Sequence, residues 1–93
     1  MLVGLLQLEI FIPDSASLKE KRFVLLSLKQ RLRNKFNISI AEIDQNDKWQ
    51  LATLGVAVVA NEKRFVEKTL NKIFSLVEQE HNIQIMNQQF EIL

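Results

Sequence analysis

Two hydrophobic periods take turns along this chain of 93 residues, and their order limits the fold more than any single motif does. Leu6, Leu8, Ile10 and Ile12 alternate with Gln7, Glu9 and Phe11. A period of two sends one set of side chains to one side, as in a strand with a buried face. Pro13 and Asp14 stop that strand. In the next stretch, "SASLKEKRFVLLSLKQRLRNKF", the period lengthens. At 100° per residue Leu18, Val24, Leu25, Leu28, Leu32 and Phe36 share one sector, the apolar stripe of an amphipathic helix. Ser15 or Ser17 supplies the N-cap, and Ser17-Leu18-Lys19-Glu20 has the capping-box form, with Glu20 expected to reach back to the Ser17 amide. This helix is predicted to end near Asn34.

The period of two returns where Phe36, Ile38 and Ile40 alternate with Asn37, Ser39 and Ala41. "DQND" (44–47) is a polar turn suited to a hairpin. Trp49 to Ala60 is nearly all apolar, the pattern of a central strand buried on both faces. Asn61 and Glu62 open a second helix that runs to about Gln79, with Val66, Thr69, Leu70, Ile73, Leu76 and Val77 as its stripe. Ile83 to Ile92 reads as a last strand. The order βαββαβ predicts an α+β, ferredoxin-like fold over residues 1–93. Two helices cover one face of a four-stranded antiparallel sheet whose first and third strands are central.

This arrangement leaves one sheet face without helices. Val3, Leu5, Gln7, Glu9 and Phe11 are expected there, with Asn37, Ser39, Ala41 and Ile43 from the second strand and Thr53, Gly55, Ala57 and Val59 from the third. An RNA-reading sheet of the RRM type needs aromatic rings on its central strands. Gly55 and Ala57 stand in their place, and Phe11 alone is no stacking platform. A flat surface of small and apolar residues suits a second copy of itself. Leu5 and Ala57 are the expected protein-contact residues of such a homodimer.

The chain has no cysteine, so it has no disulfide framework, thiolate metal site or cysteine nucleophile. The N-terminal stretch lacks the basic segment of a signal peptide, and its apolar run is broken by Gln7 and Glu9. We expect a cytoplasmic domain with no membrane partner. His81 is the only histidine and sits in a polar turn with no partner at metal-ligand or triad spacing. No phosphate-loop, dinucleotide or zinc-protease motif occurs. The loop "IPDSASLKEKR" has no arginine before the helix begins, which makes it a poor phosphate cradle for an acyl-phosphatase-like reaction. No catalytic residue, metal ligand or cofactor is expected.

The charge is unevenly placed. Lys19 to Lys35 holds seven basic residues and one acid, and the remainder holds five basic and ten acidic residues. On the helical wheel Lys19, Arg22, Lys29 and Arg33 share the flank beside the apolar stripe, with Phe23 and Leu26 among them. Lys21 points toward the apolar sector, where its stem can lie along the core edge and its charged head snorkel outward. Three uses fit this flank. Its bases can solvate the helix and offset the dipole at its C-terminal end. They can contact a phosphate backbone. They can also meet an acidic protein.

Three blocks of the sequence, Ser17-Leu18-Lys19-Glu20-Lys21-Arg22, Phe36-Asn37 through Ala41-Glu42, and Trp49-Gln50 through Leu54-Gly55-Val56, resemble the YlxP-like proteins. These form a small bacterial family classed as a domain of unknown function, and the resemblance spans nearly the whole chain. It implies a ferredoxin-like fold. Family members often lie among genes for transcription termination, translation initiation and ribosome maturation factors, which implies an RNA or ribosomal partner. It implies no catalytic residues, and it makes Lys19, Lys21 and Arg22 the foremost site residues. With Lys29 and Arg33 they form the expected nucleic-acid-binding set, Phe23 and Leu26 adding apolar contact. The alternative expectation is a homo-oligomeric interaction or small-ligand regulatory module that uses the open sheet face.

Overall fold

The strand–helix alternation folds as the periodicity predicts. A computed structural model describes residues 1–93, in the order β1 (Leu2–Phe11), α1 (Leu18–Lys35), β2 (Ser39–Asp44), β3 (Leu51–Ala60), α2 (Lys63–Glu78) and β4 (Gln84–Ile92). The sheet is antiparallel throughout and ordered β2-β3-β1-β4, which puts β1 and β3 in the centre. Two boundaries move. Trp49 and Gln50 lie in a bend before β3, and β2 begins at Ser39 because Phe36 is still the C-cap of α1, its N–H donating to Leu32 O.

The two helices close one hydrophobic core. Leu6, Leu8, Ile10 and Ile12 of the β1 arm and Ala52, Leu54, Val56 and Val58 of β3 point into it. Leu25, Leu28 and Leu32 of α1 and Val66, Leu70, Ile73 and Val77 of α2 close it from above. Gly4 continues the inward set of β1. A Cβ there would stand 2.2 Å from Val66 Cγ1 and 3.1 Å from Leu70 Cδ1, so α2 approaches the sheet at a distance only glycine permits.

The start of α1 is fixed by its cap. Ser17 Oγ accepts from the Glu20 N–H at 3.1 Å. Glu20 in turn accepts from the Ala16 N–H rather than from Ser17, one residue earlier than the capping box predicts. The serine thereby answers one of the four backbone N–H groups that a helix start leaves free, and the glutamate ties down the chain just before it.

α1 is pinned to the β2–β3 hairpin by a buried charge. Lys21 is fully buried, and its Nζ donates to Glu42 Oε2 at 2.8 Å, Gln45 O at 2.9 Å and Leu51 O at 3.1 Å. Those are all the hydrogen bonds that an ammonium group has to give. Gln45 holds the hairpin with a φ of 62°, and its side-chain amide donates to Thr53 Oγ1 at 3.0 Å.

Candidate functional site

Basic side chains occupy the helical layer of this molecule and avoid the sheet. None of the four strands contains a lysine or arginine, whereas they carry Glu9, Glu42, Asp44 and Glu91. Eleven of the twelve basic residues lie on the helices, seven on α1 and four on α2. The uneven charge of the chain thus becomes a polarity between two layers.

The expected phosphate-contact set does not survive intact. Lys19 and Arg22 are exposed on the first turns of α1, and Lys29 is half-buried farther along the same flank. Arg33 remains exposed but is committed in part, because its Nη2 donates to Ile40 O at 2.8 Å. Lys21 is a correction. Its side chain has no solvent exposure and every donor is used inside the fold, so it does not snorkel and cannot meet an external phosphate. Phe23 and Leu26 lie open, 75% and 49% exposed, on the outer side of α1. Arg31 turns the other way and pairs with Glu80 beyond the end of α2.

A second basic cluster, absent from the expected set, lies between the helices. Lys35 and Phe36 at the end of α1 face Lys68, Asn71, Lys72, Ser75 and Leu76 of α2 across an open groove. No carboxylate lines it. The chain-wide totals hide this cluster, because the segment after Lys35 is acidic overall. The signal in the sequence is the i, i+4, i+8 run Arg64, Lys68 and Lys72.

The open sheet face is a shallow depression rather than a plane. Leu5, Gln7, Ala41, Ile43, Gly55, Ala57 and Gln89 are among the residues that line it. Leu5 and Ala57 pair directly across the two central strands and are half-buried. β2 bulges between Glu42 and Asp44, and the Ile43 side chain lies over Gly55, where a Cβ would meet its Cγ2 at 3.1 Å. Thr53, expected on this face, is instead buried beneath Gln45. His81 is exposed in its turn. No three His, Asp or Glu side chains gather where they can share a metal ion.

Comparison with known proteins settles the family. The model of the family described as "Protein of unknown function (DUF503)" matches residues 3–90. The chain belongs to this family. It is 39% identical over 77 residues to the "Uncharacterized protein YlxP" of Bacillus subtilis (strain 168), a match that covers 83% of this chain and 84% of that protein. Among solved structures, a de novo designed protein with a ferredoxin fold, determined by solution NMR, superposes with a TM-score of 0.53 at 16% identity. The match covers 98% of this chain and 86% of the design. That likeness shows the ferredoxin-like fold alone. The three blocks that resemble the family meet around one buried charge: Lys21 comes from the first, Glu42 from the second, and the Leu51 carbonyl from the third. No helix is long and apolar enough to cross a membrane.

Proposed function

We propose that this protein is a non-enzymatic cytoplasmic domain that binds RNA or a ribosomal particle with its helical layer. The observation that carries the reading is the segregation of charge: eleven of twelve bases on the helices and none in the strands. On α1, Lys19, Arg22 and Lys29 meet phosphate, joined by the guanidinium N–H groups of Arg33 that Ile40 does not take. Phe23 and Leu26 add apolar contact beside them. Such contacts release counterions, so binding weakens steeply with salt. Co-sedimentation with ribosomal subunits tests the reading. The wild-type chain is expected to pellet with subunits at low salt and to stay in the supernatant at high salt. The double variant Lys19→Glu, Arg22→Glu is expected to lose association at low salt. No association of the wild type, or full association of the variant, contradicts the reading.

A second reading, self-association through the open sheet face, is favoured by the depression beside Leu5 and Ala57 and by Val59, which is 60% exposed at its end. It predicts a dimer that persists at high salt and that Ala57→Glu dissociates. A monomeric mass for the wild type by light scattering at micromolar concentration removes it.

A further inference from the structure

The groove between the helices contains charge that the fold itself does not use. Lys68 and Lys72 stand one turn apart on α2, and Arg64 stands one turn before them. Like charges at i, i+4 spacing repel and weaken a helix. Neither lysine has an acid three or four residues away to offset this: Lys68 has Arg64, Phe65, Asn71 and Lys72 at those positions, and Lys72 has Lys68, Thr69, Ser75 and Leu76. The same helix does pair a lysine elsewhere, since Lys63 lies 3.9 Å from Glu67. Lys35 then brings a third positive charge to the groove from α1. Helix-dipole compensation accounts for Lys35 in the last turn of α1 but not for two lysines in the middle of α2. Three ion pairs exist in the molecule, and none includes Lys35, Lys68 or Lys72. Repulsion retained without a structural return is what a binding site looks like in a fold whose other local choices agree with one another.

The chemistry of the lining says what the groove takes. It offers donors throughout, three ammonium groups with the Asn71 amide and the Ser75 hydroxyl, and no acid to repel an anion. Phe36 adds the edge or face of a half-buried ring. Ammonium groups that track phosphates, combined with an aromatic ring for a base, are the elements of single-strand recognition. The ring packs partly against the core, and an acidic peptide uses the charges but not the part of the ring left open to the groove. We infer that the α1–α2 groove, with Lys35, Lys68 and Lys72 on phosphates and Phe36 against a base, binds an unpaired RNA segment. The inference rests on the proposed function and gives it a second contact, distinct from the Lys19–Arg22–Lys29 flank.

The test titrates the full-length chain, labelled for backbone-amide NMR, with a short single-stranded RNA of mixed sequence at low salt. The same titration is run with the matching RNA duplex and with a polyglutamate peptide. Amide shifts at Phe36, Lys68 and Lys72 with the single strand, weaker with the duplex and absent with the peptide, are expected. The variant Lys68→Gln, Lys72→Gln is expected to bind the single strand about tenfold more weakly, and the slope of log K against log salt falls by about 2. The same variant is expected to melt no lower than wild type at low salt, because it removes a repulsion. That result separates lost binding from lost folding. If RNA shifts only the α1 flank and this variant binds as wild type does, the groove inference is overturned and the proposed function stands. If polyglutamate fills the groove and RNA shifts no amide, both are overturned.

Discussion

At the residue scale, Lys21 shows why a basic residue in a basic helix is not automatically a contact for an anion. Burying an ammonium group is costly unless its charge and all its hydrogen bonds are answered. Here Glu42 answers the charge and the carbonyls of Gln45 and Leu51 answer the remaining N–H groups. The pair fixes α1 against the β2–β3 hairpin. Replacing Lys21 by alanine leaves the Glu42 carboxylate, whose side chain is 13% exposed, without its partner. We expect a loss of roughly 3–5 kcal/mol of folding stability, measured by urea denaturation, because removing one member of a buried pair strands the other. A loss below 1 kcal/mol would mean that the pair does not hold the hairpin. The wheel did point Lys21 toward the apolar sector, but a wheel has no hairpin in it. Glu42 lies 21 positions away, and the closure of α1 over β2 is what joins the two.

At the element scale, β1, α1, β2 and α2 were legible from their periods, and β3 from a nearly unbroken apolar run. β1 shows where that legibility stops. Its alternation is clear only from Leu6 onward, because Gly4 occupies the inward register position without any side chain to mark it. The cause is tertiary: Val66 and Leu70 of α2 fill the space a Cβ would need. Gly4→Ala is therefore expected to destabilise the fold by about 1–3 kcal/mol through overpacking, by the same denaturation measurement. A neutral or stabilised variant would mean that α2 can move away from the sheet freely. The two edges of the sheet also differ in a way no period reveals. β2 is short, bulged at Ile43 and has the Ile40 carbonyl taken by Arg33, all of which discourage pairing with a foreign strand. Arg33 thus serves the fold as well as any ligand, a role its place on the wheel does not show.

At the scale of the whole molecule, the net charge of +1 conveys little about partners, and the layering of charge conveys much. The excess on α1 was visible in the sequence as a run of bases. The contribution of α2 was not, because Lys68 and Lys72 are diluted by the acids around them and become a site only when the antiparallel helices bring them beside Lys35. Binding by this layer is electrostatic in origin, so its signature is the salt dependence of association with ribosomal subunits. Six bases of the α1 flank and the groove, Lys19, Arg22, Lys29, Lys35, Lys68 and Lys72, lie outside any ion pair and make no internal side-chain hydrogen bond, and so are available to phosphate. At about 0.7–0.9 per phosphate contact, log K plotted against log salt is expected to fall with a slope of about −4 to −5. A slope near zero, with association undiminished at high salt, would contradict the central claim that the helical layer is the binding surface.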